Sequence, residues 1–261
     1  MHIASIGIDL GQTTFHLVAL GEQNKVLPRK KFSRPQLLAY TAKLPAALIG
    51  LGACVGAHYV GTALREQGHQ VRLIPAQFVK PYRKSNKNDF LDAEAIAEAV
   101  TKQNMRFAQL KTQGQLDWKA MHRVRDRLVR RRTALINEIR GLLLERGIAF
   151  AAQPIHLRKN LPAVIEDTEQ NLSPRLLRWL LDRMWQEWKQ TETEIQAITD
   201  EIERISQEDA RCRQLRQIPG FGPLVSTTTV AAIGNGAAFR SGRDFAAWVG
   251  VVPRLLSLWT F

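Results

Sequence analysis

The chain has 261 residues, 45% of them apolar, enough to bury one large core or two modest ones. Lys and Arg number 37 against 24 Asp and Glu, a net charge of +13, and an excess of that size points to a polyanionic partner rather than to any particular fold. No uncharged apolar run reaches the roughly 18 residues of a membrane span, and no basic-then-apolar leader precedes the first strand, so a cytoplasmic protein with no membrane partner is expected.

The first hundred residues read as α/β. Strands are expected over 3–10, 15–20 and 26–32, separated by the turns GQTT and GEQNK. In the first, Ile6, Ile8 and Leu10 alternate onto one face and leave Asp9 on the other. An aspartate inside an apolar strand requires a partner or a metal. Ser33 before Arg34-Pro35 is placed to cap a helix running to about Lys43. A buried strand is expected from Ala46 to Cys54, a short helix around 60–67 and a fifth strand over 70–74. Three strands in a meander, then alternating helices and strands, resemble the element order of the ribonuclease-H-like fold.

Asp89 and Asp92 stand three apart in KNDFLDAEAIAEA, which reads as a helix, so both carboxylates share one face. Hard divalent cations such as Mg²⁺ or Mn²⁺ take oxygen ligands of this kind, and a strand aspartate plus a helical pair can hold one or two of them against a phosphodiester. Taken singly, Asp89 also reads as a helix cap and Asp92 as a solvated first-turn acid. Lys80, Arg83, Lys84 and Lys87 precede the pair and read as a phosphate path into the site, or as a solvated charged loop. His58 and Tyr59 carry no assigned role, and Cys54 and Cys212 lack metal-ligand spacing and read as free thiols.

From residue 111 the pattern becomes helical. Leu128, Leu135, Ile139, Leu142 and Leu143 recur at helical spacing in an arginine-rich stretch that Gly147 ends. Arg123, Arg127, Arg130 and Arg131 in that stretch are candidate nucleic-acid contacts, to RNA or to DNA. A linker containing Pro154, Pro162 and Pro174 is expected next, then a helix over about 175–215. Its Trp185, Trp188, Ile195, Ile198, Ile202 and Ile205 space like a coiled-coil seam, which serves equally a homo-oligomer or an antiparallel hairpin within one chain. In IPGFGP, Gly220 and Gly222 open a helical run and are candidate phosphate contacts through backbone N–H groups; a simple turn is the alternative.

These motifs occur together in one family. IGIDLG, LGACVGAHY, KSNKNDFLDAEAIA, IPGFGP and DFAAWVGVVPR stand in the order found in the DEDD transposases of bacterial insertion sequences, and from residue 3 to about 254 the chain resembles that IS-one-ten family. The resemblance implies a RuvC-like, RNase-H-like domain over 1–110, a coiled-coil insertion over 111–215 and a small helical C-terminal domain over 216–261, here partial. It implies a recombinase acting as an oligomer on DNA, guided by a structured RNA, with Asp9, Asp89 and Asp92 as the first, third and fourth of four metal-binding acids. The second acid, a glutamate, should stand where this chain has Gly52. The family also uses a serine nucleophile from the C-terminal domain. Ser257 lies near that position within LLSLWTF, a tail that reads as truncated or frameshifted, so Ser257 is either that nucleophile or a fortuitous serine. Two other classes compete: a catalytically inactive nucleic-acid-binding remnant of such a transposase, and an actin-like sugar kinase whose phosphate loop IGIDLGQTT resembles. The kinase class also needs a second Asp-Gly phosphate loop and a Gly-rich adenosine site, and neither is visible.

Overall fold

A computed structural model describes residues 3–82, 88–166 and 176–250. The chain divides into two compact units, Met1–Thr112 and Gln113–Phe261.

The first unit is a five-stranded mixed sheet. Its strands are β1 (Ser5–Leu10), β2 (Phe15–Leu20), β3 (Val26–Phe32), β4 (Leu48–Gly52) and β5 (Gln70–Ile74), in the order β3-β2-β1-β4-β5. β1, β2 and β3 form the expected antiparallel meander, and β4 and β5 add in parallel. This is the RNase-H-like arrangement.

Helices cover both faces. On one lie α1 (Arg34–Thr41) and α2 (Ala57–Glu66), whose Leu37, Ala57, Val60 and Leu64 pack with Ile6, Ile8, Phe15, Leu17, Ile49 and Leu51. α1 starts where the sequence places it, with a capping box between Ser33 and Gln36. On the other face lies α4 (Asp89–Ala99), preceded by the short α3 (Ala76–Val79), which the sequence reading did not include. Ala93 and Ala97 of α4 meet Val18 and Leu20, and Ile96 and Val100 form a further cluster with Ile74 and Val79. Every residue of β2 is therefore buried, because it is covered from both sides.

Two glycines set how close α4 comes. A Cβ on Gly7 would lie 2.0 Å from the Ala93 carbonyl oxygen, and one on Gly50 would lie 2.9 Å from Ile96 Cγ2. The helix backbone thus rests directly on β1 and β4, and the Ser5 hydroxyl donates to the Ala97 carbonyl at 2.7 Å.

The second unit is helical. α5 (Gln113–Leu144) spans 32 residues and packs along α7 (Leu176–Glu208). Between them comes α6 (Pro154–Glu166), where the sequence reading expected a proline-rich linker. The reason for the difference is positional: Pro154 opens the helix, where its missing N–H costs nothing. Pro162 sits inside it, while Leu157 and Leu161 anchor α6 in a core with Leu135, Ile139, Leu143, Leu181 and Trp188. The expected single helix to residue 215 breaks at Asp209, which caps α8 (Ala210–Leu215) by accepting from the Arg211 and Cys212 N–H groups. α9 (Pro223–Ile233) packs on α5, α7 and α8, and α10 (Gly242–Val249) follows.

Within the chain, Trp185 and Trp188 of the α7 seam pack with Leu135, Ile139 and Leu143 of α5, and α7 also packs on α8 and α9. Among the described residues no helix is long and apolar enough to cross a membrane.

Candidate metal centre

Asp9 sits near the end of β1 on the face turned to α4, since its neighbours two residues apart on that side, Ser5 and Gly7, both touch α4. α4 begins immediately beneath it. Asn88 caps that helix by accepting from the Phe90 N–H at 2.9 Å, which leaves Asp89 and Asp92 free of the capping task. Both belong to the first turn, where the helix dipole favours negative charge. The reading of Asp92 as a solvated acid does not hold: it is 5% exposed. Carboxylate oxygens of Asp9, Asp89 and Asp92 lie within 4.8 Å of one another.

Such crowding is costly without a cation. Burial, then the charges of Asp92 and Asp89, raise the Asp9 carboxyl above its ordinary pKa, against smaller opposing effects of His16 and the Leu10 N–H. Three clustered oxygen donors from a strand and a helix, one of them electrostatically frustrated, match the needs of a hard divalent cation. Cys54 stands nearby with its Sγ 3.8 Å from the Leu10 carbonyl oxygen, and partial burial, then the charge of Asp9, raise its thiol above its ordinary pKa.

Gly52 ends β4 and follows Leu51, the register partner of Ile8, so it lies level with Asp9. It has the same strand parity as Gly50 and faces α4, where a Cβ would lie 3.7 Å from Ile96 Cδ1, an ordinary contact. The backbone accepts a side chain here, and glycine supplies no oxygen.

His16 was not singled out from the sequence. It pairs with Asp9 in the β1–β2 ladder, and its Nδ1 is 3.7 Å from Asp89 Oδ2. The signal was present in the turn: with Leu10 opposite Phe15, Asp9 must face His16. His58, left without a role, accepts from the Lys111 N–H through Nδ1 at 3.2 Å and serves as a structural tie.

Of the basic path before α4, Lys80 is exposed, whereas Arg83, Lys84 and Lys87 lie outside the described residues, as does Ser257. In the second unit Arg123, Arg127 and Arg130 are exposed at helical spacing on α5, Arg130 paired with Asp126 one turn back. Arg131 instead reaches across to Glu187 of α7 at 3.0 Å, and Arg132 pairs with Glu192 at 3.3 Å. Gly220 has φ +87° and Gly222 caps α9 ahead of Pro223, with open space beside both.

Residues 6–147 match the family model of the DEDD transposases of the IS110 group, and residues 212–257 match that of the IS116/IS110/IS902 transposase family. The chain belongs to the IS110 transposase family. It is 40% identical over 256 residues to a transposase for insertion sequence element IS1328 of Yersinia enterocolitica, a match covering 98% of this chain and 75% of that one. It is 39% identical over 254 residues to a probable family 20 transposase of Pseudomonas aeruginosa, covering 97% and 75%. Among solved structures, RuvC of T. thermophilus in complex with a Holliday junction substrate aligns at 16% identity and a TM-score of 0.31, covering 38% of this chain and 92% of that one.

Proposed function

We propose that this chain is a metal-dependent DNA transposase or recombinase whose acid set, Asp9, Asp89 and Asp92, holds Mg²⁺ or Mn²⁺ against a DNA phosphodiester. The observation that carries this reading is the convergence of the three carboxylates within 4.8 Å at the junction of β1 and α4. A bound divalent ion would polarise a phosphoryl oxygen and acidify water. The chain's own residues orient that chemistry. Asp92 is the buried arm of the set, Asp89 the exposed arm open to a substrate, and Asp9 is placed by the sheet register.

Binding to nucleic acid is assigned to Lys80, Arg83, Lys84 and Lys87 before α4, to the Arg123–Arg127–Arg130 stripe of α5, and to the N–H groups at Gly220 and Gly222. Arg131 belongs to the same assignment, although it is shared with Glu187. A structured guide RNA, assembly through the helical region and a nucleophilic serine, for which Ser257 stands as the candidate beside the alternative of a fortuitous serine, are proposed from the family resemblance, and action in the cytoplasm is proposed with them. So is the division at 110 and 215.

A second reading is favoured by Gly52: with one oxygen ligand fewer, this chain retains binding and has lost cleavage. Incubating the purified protein with supercoiled plasmid and Mg²⁺ or Mn²⁺ separates the two. Nicking that Asp92→Asn abolishes supports the transposase; binding without nicking, restored to nicking by Gly52→Glu, identifies an impaired copy. Salt-sensitive binding with no nicking in any form leaves the inactive remnant.

A further inference from the structure

The hydrogen-bond register of the sheet sets three residues in one row: Asp9 pairs with His16, and His16 pairs with Lys31. Residues paired across neighbouring strands present their side chains to the same face. Which face this is follows from the flanking rows. Ile8 and Leu17 enter the core under α1 and α2, and their row partner Lys30 lies 4.4 Å over the Tyr40 ring of α1. Gly7 and Val18 meet α4, and their row partner Arg29 donates to Glu94 Oε2 of α4 at 2.8 Å. The row of Lys31 alternates with that of Lys30, so Lys31 shares the α4 side with the acid set.

His16 forms the floor between them, its ring edge-on to Phe90 at 4.7 Å and its Nδ1 near Asp89. The three cations of β3 then differ in their commitments. Arg29 is spent on Glu94 and Lys30 on Tyr40, while Lys31 is exposed on the edge strand and makes no ion pair among the described residues. Two strand spacings of about 4.8 Å separate it from the Asp9 position, roughly 10 Å in all. A DNA strand seated on three carboxylates is repelled at the phosphates flanking the reacting one, which a single metal does not neutralise. A cation one step out along the sheet meets that need.

We propose that Lys31 binds the phosphate backbone of the DNA strand engaged at the Asp9–Asp89–Asp92 set and leads it across β2 toward the sheet edge. The inference rests on the reading of that set as a phosphodiester site. It is tested by equilibrium binding of the full chain to a short fluorescein-labelled DNA duplex across a range of salt, without any need for cleavage. Lys31→Ala should weaken binding and flatten the log–log salt slope by about one, the signature of one lost phosphate contact. Lys31→Arg should keep the slope, and Lys30→Ala, on the same strand but the opposite face, should leave it unchanged. An unaltered slope in Lys31→Ala, or an equal loss in Lys30→Ala, overturns the role of Lys31 while leaving the acid set as proposed. Absence of salt-dependent binding by the parent chain overturns both.

Discussion

A methyl group on Gly7 would lie 2.0 Å from the carbonyl oxygen of Ala93, so the backbones of β1 and α4 are in contact at the level just below the acid set. The distance between Asp9 and Asp92 is thereby set by main chain rather than by adaptable side chains.

Gly7→Ala should accordingly be severe. The added carbon meets backbone atoms of Ala93 and Ala97 that cannot yield without lifting the helix. A loss of about 3 kcal/mol or more is expected, at the upper end for overpacking. Chemical denaturation reads the stability, and Mn²⁺ titration of whatever remains folded should show the metal centre lost with it. Unchanged stability would mean that α4 is free to slide.

Asp9 couples metal to pH. Its folded carboxyl holds a proton to higher pH than the unfolded chain does, so the folded state binds more protons. Stability therefore falls as pH rises from the ordinary value of 3.8 through the raised one, and the penalty persists at neutral pH. Asp9→Asn cannot ionise. In EDTA at neutral pH this variant should melt above the parent, with the gap closing as pH is lowered. Mn²⁺ should reverse the order by stabilising the parent alone. A parent that outmelts the variant in EDTA would contradict this account.

Gly52→Glu should strengthen the site, because the position faces α4 and has room for a Cβ. Mn²⁺ affinity is expected to rise by roughly tenfold to a hundredfold, the scale on which supporting groups tune metal sites. The metal-free variant should be less stable than its parent, having gained a fourth like charge. Calorimetric titration checks both, and an unchanged affinity would put residue 52 outside the centre.

His122 makes the second unit sensitive to acid. Its Nε2 is 3.0 Å from Thr227 Oγ1 of α9, and burial, aided by Arg125, lowers its pKa below the ordinary 6.5. The unfolded chain then binds the proton more readily, so this contribution is complete above 6.5 and is lost as pH falls from there through the lowered value. His122→Gln should flatten the stability profile of the parent just below 6.5. Thermal melts at stepped pH measure it; identical profiles for the two would refute the linkage.

Much of this was legible in the residues, and what was not has identifiable causes. β2 was readable because its apolar run is bounded by turn residues, and the acid trio because an aspartate interrupts an apolar strand. α6 is hidden in the sequence because three prolines suggest a linker, whereas Pro154 starts the helix and buried Leu157 and Leu161 carry it past Pro162. The pairing of Arg131 and Arg132 with Glu187 and Glu192 was invisible because the partners lie on another helix, and no periodicity within α5 encodes it. His16 escaped because its meaning depends on register.

The turn from Gly11 to Thr14 therefore has more to do than reverse the chain. It is closed by the Gly11 N–H donating to the Thr14 carbonyl at 3.0 Å, and it counts out which β2 residue stands opposite Asp9. One residue more or fewer would exchange His16 for Phe15 or Leu17, putting a hydrocarbon beside Asp89 and driving an imidazole into the core. Surface turns ordinarily absorb insertions with little harm. This one behaves as a measuring spacer, and its length carries information that its side chains do not.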